Sequence, residues 1–576
     1  MATPREFNGI IYDLLTGRVS RREFIKRAGA LGLSATSIAA ILAACGGGEE
    51  EATSTGSSGG SSRGTGATPS ASPAASGGSG ATGSGGTLDR VVVALGADAR
   101  TLMPNTIVDA TTTWQLENIF DPVLRRDPDN NFKVGPWLGE LTSIDDLTWE
   151  IKIVKEGIKF HNGEPFDAEA IKVSLEYALD PANKSHYLER WKPITEITVV
   201  DPMTVRLKTS EPYPIMPTRL AELYPIPPKY LAEKGIEYVS QNPVGTGPFK
   251  FKEWVRDEHL LLEQNPDYWR GPVAVKELEF RYIPEFASRL SALLAGEVDI
   301  IKDVPVDAIE RVNSSGVARA IEIPSSRINY VALVNNREGS IMADKRVRQA
   351  INYGVNVDAI IEGVFQGHAT RMAGALSKIN PEVDPSIEPY PYDPEKAKQL
   401  LEEAGIQPGT QIVLDSPQGR YPMDTDAAQA IAAELEQLGF RVQVQYNEWG
   451  THLDKIVNRR TGDAFYLGWG PALDAEGTLR YLFVGDSTYS GYTNPEVEKL
   501  IAEASKTVNP ERRQELWNQV QRAVWEDAGW LFLWQQHDIY GVSNKVEWTP
   551  RVDESLFLGT VKPRQASGPK TGPKHG

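Results

Sequence analysis

From Gly46 to Gly86 the chain is dominated by Gly, Ser, Thr and Ala, with an early Glu49-Glu50-Glu51 run. Such a composition buries too little apolar surface to repay the entropy of ordering, so the stretch reads as a tether. It separates a short leader from a body that begins at Leu88, and only the body can organise a core. As a flexible coil the tether has a root-mean-square reach of roughly 35 Å. The chain has 576 residues, and a body of that scale exceeds what one hydrophobic core usually organises, so two or three lobes are predicted.

Ahead of the tether, Ser20-Arg21-Arg22-Glu23-Phe24-Ile25-Lys26 precedes an apolar stretch from Ala28 to Leu42 that is diluted by Gly, Ser and Thr. That stretch is too short for a comfortable spanning helix and fits the apolar part of a signal peptide. With Arg21 and Arg22 in place, the string resembles a twin-arginine export signal. Leu42-Ala43-Ala44-Cys45 resembles a lipobox, in which the Cys45 thiol carries the lipid. A buried helical cysteine is the competing reading, but Gly46-Gly47-Gly48 follows at once and would not sustain a helix. Residues 1–44 are therefore read as signal peptide, and 45–87 as lipidated cysteine and tether. Several acyl chains on one residue give stable anchorage, which places the body on the outer face of a membrane. Cys45 is the only cysteine, so no disulfide can staple the fold.

A net charge of −17 argues against a nucleic-acid partner, whose binders concentrate basic charge. The seven histidines are scattered without HExxH spacing, so neither a metal nor another cofactor is expected. There is no GxSxG elbow and no Walker loop, and Gly245-Thr246-Gly247 lacks the third glycine of a dinucleotide site. No carboxylate pair is singled out by spacing, and no catalytic residue is nominated.

The body alternates strand and helix signals. Trp149, Ile151 and Ile153 alternate with Glu150 and Lys152; Leu278, Phe280 and Tyr282 with Glu279 and Arg281; Val442, Val444 and Tyr446 with Gln443 and Gln445. Helix starts are marked by Asp393-Pro394-Glu395, Asn494-Pro495-Glu496 and Asn509-Pro510-Glu511, each a capping side chain followed by Pro at the first helical position. The first of these presents Leu400, Leu401 and Ala404 on one face and closes at Gly405. The predicted class is mixed α/β, with no internal repeat and a frayed tail over 564–576.

Several strings occur in an order that resembles one family. They are Asp121-Pro122-Val123-Leu124, Leu147-Thr148-Trp149, the run from Gly157 to Ala168, Pro243 to Phe249, Asn265 to Trp269, Leu293 to Ile300, Arg346 to Gly354 and Tyr392 to Gly405. The resemblance is to the family-5 extracellular solute-binding proteins of peptide and nickel importers, and it covers about Leu88 to Val552. It implies a class II periplasmic-binding-protein-like clamshell, two domains joined by two crossing segments, with an extra inserted lobe. The first domain would comprise 88–129, 243–327 and 534–563; the inserted lobe 130–242; the second domain 328–533. The implied role is capture of a short peptide between the domains and its delivery to the permease subunits of an ABC importer, by a monomeric, membrane-tethered protein without enzymatic activity. An oligosaccharide, an opine or a metal chelate stays open as the solute, and an envelope hydrolase stays open as a different class.

The segment Asp463 to Gly470 resembles the strand and turn that line the family's cleft, which nominates Trp469 for solute contact; Gly468 and Gly470 beside it suggest close approach of a ligand to the backbone. Tyr466 and Trp449 are the next aromatic candidates, with core packing as the competing role. In peptide-binding relatives an aspartate three residues after this tryptophan holds the peptide ammonium. That position is Ala472 here, and Asp474 is the nearest substitute. Arg371 is a candidate for a solute carboxylate, whereas His368 reads as a loop residue.

Overall fold

The computed structural model describes residues 86–565 except Ala472. The Arg21-Arg22 signal, Cys45, the tether up to residue 85, Ala472 and residues 566–576 lie outside the described residues.

The period-two segments form strands as their patterns require. Thr148–Ile153 buries Trp149, Ile151 and Ile153, and Val275–Tyr282 buries Leu278, Phe280 and Tyr282. Arg441–Asn447 also forms, but it is a sheet edge, paired only with Gln411–Pro417, and Tyr446 is exposed there. The helix starts are built from their capping side chains. Asp393 accepts from the Lys396 amide, Asn494 from Glu496 and Val497, and Asn509 from Arg512, each with Pro at the first turn.

An eleven-stranded mixed sheet runs through the body. Its middle is the antiparallel pair Ala318–Leu333 and Trp530–Ser543, which are sixteen and fourteen residues long. At one end of this pair, Ala464–Trp469 pairs with residues 328–333, and Gln411–Pro417 and Arg441–Asn447 extend the sheet in parallel. At the other end, Ile300–Ile301 pairs with Gly541 and Val542, and Leu88–Leu95, Val275–Tyr282, His259–Gln264 and Phe249–Val255 follow. The two halves have separate cores. Leu467, Phe483, Tyr492, Trp517 and Trp530 belong to one; Val93, Phe249, Leu262, Phe280 and Tyr540 belong to the other.

A separate four-stranded antiparallel sheet, in the order Gly139–Asp145, Thr148–Ile153, Thr204–Thr209, Ile194–Asp201, packs the helix Ala168–Leu179 through Ile171 and Leu175. One carboxylate ties its entry to the main sheet. Asp121, fully buried, accepts from Trp137 Nε1 (2.8 Å), Tyr268 Oη (2.9 Å), Trp269 Nε1 (2.8 Å) and Thr246 Oγ1 (3.1 Å). Beside it, Gly245 and Gly247 pass so near the backbone of Ile119 that a Cβ would meet its carbonyl atoms at 2.1 and 2.7 Å. Asp121→Ala leaves four donors without an acceptor, each worth roughly 1–3 kcal/mol when buried. A loss of at least about 3 kcal/mol in the urea unfolding free energy is expected, and a loss under about 1 kcal/mol would show that this junction is not structural.

Candidate functional site

In open α/β sheets, ligands bind outside the carboxyl ends of the strands. Here the carboxyl ends of both sheet halves face one place. The strand pair changes register between Pro324 and Ile328, where residues 318–324 pair with Asp538 to Ser543 and His537, and Ile328 pairs with Gln535. Ser325, Ser326 and Arg327 are buried in this break. Gln535 Nε2 donates to the Ser325 carbonyl (2.8 Å), and the Ser326 amide donates to the Val552 carbonyl (2.6 Å). Glu554 accepts from Ser325 Oγ (3.0 Å) and Arg327 Nη2 (2.9 Å).

The loop after Gln411–Pro417 enters the same place. Asp424 shapes it by accepting from the amides of Gly419 (3.0 Å), Arg420 (2.8 Å) and Tyr421 (3.1 Å). Tyr421 then turns inward, and its hydroxyl donates to the Gly468 carbonyl (3.0 Å). Arg420 stays exposed, with its guanidinium 5.1 Å from the Trp449 ring and 5.2 Å from the Tyr421 ring. Its side chain makes no hydrogen bond and no ion pair among the described residues.

Trp469 ends its strand half-buried, between Tyr489 at 5.4 Å and Tyr481 at 6.0 Å, and its indole N–H donates to the Gly477 carbonyl (3.1 Å). The flanking glycines make room for protein groups rather than for a ligand: a Cβ on Gly468 would strike the Tyr421 ring, and one on Gly470 would meet Arg327 at 3.0 Å. Trp449 opens the helix Trp449–Val457, half-buried between the two cores of its sheet half.

Three expectations change. Tyr466 has no exposed surface; its hydroxyl donates to Asn329 Oδ1 (3.0 Å) and its ring packs on Tyr421 and Trp534, so it is a core residue. Its strand is paired on both edges, and each face packs into a core, Phe465 and Leu467 in one and Ala464 and Tyr466 in the other. Arg371 is already engaged, by Asp358 and by the Tyr390 carbonyl (2.7 Å). Asp474 caps the helix Ala475–Phe483 by accepting from the Gly477 amide and meets Arg126 Nη2 at 3.5 Å. Arg420, which the sequence does not single out, is an exposed cation without an acid partner among the described residues. The only local signal for it was an arginine in the loop Gln418 to Pro422, directly after a strand.

The acids beside Asp474 are also engaged. Glu476 meets Arg513 at 3.2 Å, and Glu382 accepts from the Ala475 amide (2.6 Å). Burial pushes Glu476 up to about 7 from an ordinary 4.5, although Arg513 and Arg219 pull it down. The folded state therefore holds this proton more tightly than the unfolded chain does. That stability is complete below pH 4.5 and is lost as pH rises through 7. Unfolding free energies at pH 5 and pH 8 are expected to show a decline of which Glu476→Gln removes on the order of 2 kcal/mol; equal declines in both proteins would rule the assignment out.

The sequence matches the family described as bacterial extracellular solute-binding proteins, family 5, over residues 133–491. It is 29% identical over 431 residues to the glutathione-binding protein GsiB of Pectobacterium atrosepticum, covering 72% of this chain and 82% of that protein. Against GsiB of Escherichia coli K12 it is 27% identical over 463 residues, covering 77% and 88%. Among solved structures, the ABC transporter substrate-binding protein CtaP of Listeria monocytogenes superposes with a TM-score of 0.76 at 21% identity, covering 83% of this chain and 100% of that one. DppA of Helicobacter pylori, solved with the peptide STSA, superposes with a TM-score of 0.71 at 23% identity, covering 83% and 99%. The periplasmic-binding-protein fold is thereby established.

Proposed function

The chain belongs to the bacterial extracellular solute-binding proteins of family 5, and from that membership we propose that it captures short peptides at the strand-end site and hands them to an ABC permease. The observation that carries the peptide reading is Arg420, an unpaired guanidinium laid on Trp449 and Tyr421 where the strand ends meet. A fork of N–H donors fits a peptide carboxylate, and the two rings hold the cation in place. Relatives named for glutathione and a neighbour solved with the peptide STSA support the same class of solute.

In this reading residues 88–129, 243–327 and 534–563 form one lobe, 328–533 the other, and 130–242 the inserted one. Trp469 and Trp449 remain the proposed aromatic contacts. The protein binds and releases its solute unchanged, works as a monomer, and is held outside the membrane by lipid on Cys45 after export on the Arg21-Arg22 signal. The tether lets it tumble beside its transporter.

A thermal-shift screen separates peptides from sugars, opines and metal chelates, since a true solute at 100 times its Kd adds about 2.7 kcal/mol of stability. Short peptides are expected to raise the melting temperature and to be recovered intact. A shift with sugars alone, or cleavage of the peptide, would sink this reading. Arg420→Gln is expected to weaken peptide binding by roughly 1.5–3 kcal/mol, the worth of a charge-assisted hydrogen bond, as read by titration calorimetry. Cys45→Ser is expected to release the protein from membranes into the soluble fraction, and unchanged membrane retention would refute the anchor.

A further inference from the structure

We propose that Glu322, His368 and His537 form a pH-sensitive clamp across the register break, which gains charge on acidification and then favours the arrangement in which the two sheet halves meet over the site. The proposal rests on the two-lobe reading of that site and holds for any class of solute.

Three segments bring these side chains together beside the break. Glu322 and His537 share a face of the central strand pair, because Glu322 pairs with Ile539 and Pro324 with His537. On the other edge of the second strand, Ala369 pairs with Gln536, which sets His368 next to His537. The two imidazoles divide one carboxylate: His368 Nδ1 donates to Oε2 of Glu322 (2.8 Å) and His537 Nδ1 to Oε1. His537 Nε2 is bonded to Thr370 Oγ1 (2.8 Å). With side chains 13% (His537), 29% (His368) and 32% (Glu322) exposed, the group exchanges protons with solvent yet is only partly screened by it.

The two histidines stand on opposite sides of the break. Glu322 lies among Ala318, Ala320 and Ile539, which pack with Leu293 and Ile301. His368 lies between Phe365 and Ala369, which pack with Leu414 and Tyr466 in the core of the other half. His537 stays on the side of Glu322. The contact of Glu322 with His368 therefore spans Ser325, Ser326 and Arg327, and a turn of the halves about those residues breaks it while leaving His537 in place.

The other charges around the group are paired or exposed. On the opposite face of the strands, Asp538 bonds Lys302 at 3.1 Å and Arg319 meets Glu547 at 3.7 Å. In the break Arg327 bonds Glu554 at 2.9 Å, and after Thr370 Arg371 is held by Asp358. Glu310 and Arg311 are exposed on the helix Ile309–Ser314, which meets the strand where Asn313 accepts from the Ala320 amide. Glu362, on the helix Val357–Phe365, lies over Gly367, where a Cβ would stand 3.7 Å from its Oε1, so a second acid flanks His368. Burial works against the charge on Glu322, yet the two imidazoles outweigh it and hold the carboxyl below its ordinary range. Histidine is the side chain that ordinarily titrates between pH 5 and 8. A proton on each ring turns a neutral hydrogen bond into a charge-assisted one, roughly twice as strong. The cross-break ion pair forms only with the halves joined, so acidification favours that arrangement.

The test places spin labels at Glu211→Cys and Lys506→Cys, which meet at 2.7 Å across the mouth, in the full-length protein with Cys45→Ser. Glu117 and Glu476 also titrate near 7, so the clamp is read as a difference between proteins that both keep them. Without solute, the ratio of close to distant labels is expected to rise between pH 7.5 and pH 5.5 by a factor at least about twofold larger than in the same protein carrying Glu322→Gln. His368→Gln is expected to match Glu322→Gln. Equal pH responses with and without Glu322→Gln, or a full response in His368→Gln, would overturn the clamp. Titration calorimetry with Ala-Ala-Ala at the same two pH values is expected to show a gain on acidification about twofold larger in the unsubstituted protein than in Glu322→Gln, and equal gains count against the clamp. If Ala-Ala-Ala binds at neither pH, the peptide reading is what fails, and the label measurement still decides the clamp.

Discussion

The antiparallel pairing of Ala318–Leu333 with Trp530–Ser543 fixes where every other part of the solute-facing surface lies. Both sheet halves attach only to this pair, and the pair changes register at the place where their strand ends meet. That break frees backbone groups that a regular ladder would pair, Gln535 and Val552 take them up, and a chain of alternating charges holds it. Arg327 bonds Glu554 at 2.9 Å, and Lys302 bonds Asp538 at 3.1 Å. Burial works against the charge on Glu554, yet Arg327 and Lys302 outweigh it and hold the carboxyl at about 2. Ions this deeply buried add little net stability, because desolvation offsets their attraction. Their effect is geometric: any displacement of one partner strands another, so the break has one arrangement.

A second constraint explains why sequence strings far apart in the chain resemble a family together. Asp121, Thr246, Tyr268 and Trp269 come from three of those strings, and they meet at a single carboxylate. Gly245 and Gly247 are there because the backbone of Ile119 leaves no room for a side chain. The glycines that look like a fragment of a phosphate loop are therefore packing, and their spacing follows from the approach of two backbones rather than from any ligand.

What could be read from sequence follows the range of the physics involved. Helix starts at Asp393, Asn494 and Asn509 depend on a side chain and amides two or three residues away, and they were legible. The strand Thr148–Ile153 was legible because one face is buried and the other wet. Tyr466 stays open between solute contact and core packing in sequence, because whether a strand is central or marginal depends on partners some 50 and 140 residues distant, Leu414 to Asp415 and Tyr330 to Leu333. That Arg371 stands out in sequence and Arg420 does not has the same origin. Both are loop or edge arginines in sequence, and only the fold shows that Asp358 and Tyr390 consume the first while the second finds aromatic rings and no acid.

Contacts across the site set how readily it opens. Arg126, on the short strand Leu124–Arg126, reaches the Leu473 carbonyl at 3.3 Å and Asp474 at 3.5 Å, and Lys506 meets Glu211 at 2.7 Å. Lys506 and Glu211 are 57% and 41% exposed, and the Arg126 contacts are long. The exposed Lys506–Glu211 pair is worth about 0–1 kcal/mol, and Arg126 and Asp474, though largely covered, meet only at the long end of ion-pair distance. They bias closure without securing it, so the difference between open and closed protein must come from what lies between. In the proposed peptide reading, a solute that joins Arg420 on one side to groups on the other supplies that difference. Moving such an equilibrium from 1:99 to 99:1 takes about 5.5 kcal/mol, more than the surface pairs hold and within reach of one buried carboxylate contact plus two aromatic ones. Weak built-in pairing is thus a requirement of the function: a strongly latched site would close empty, and closure would no longer report that a solute is bound.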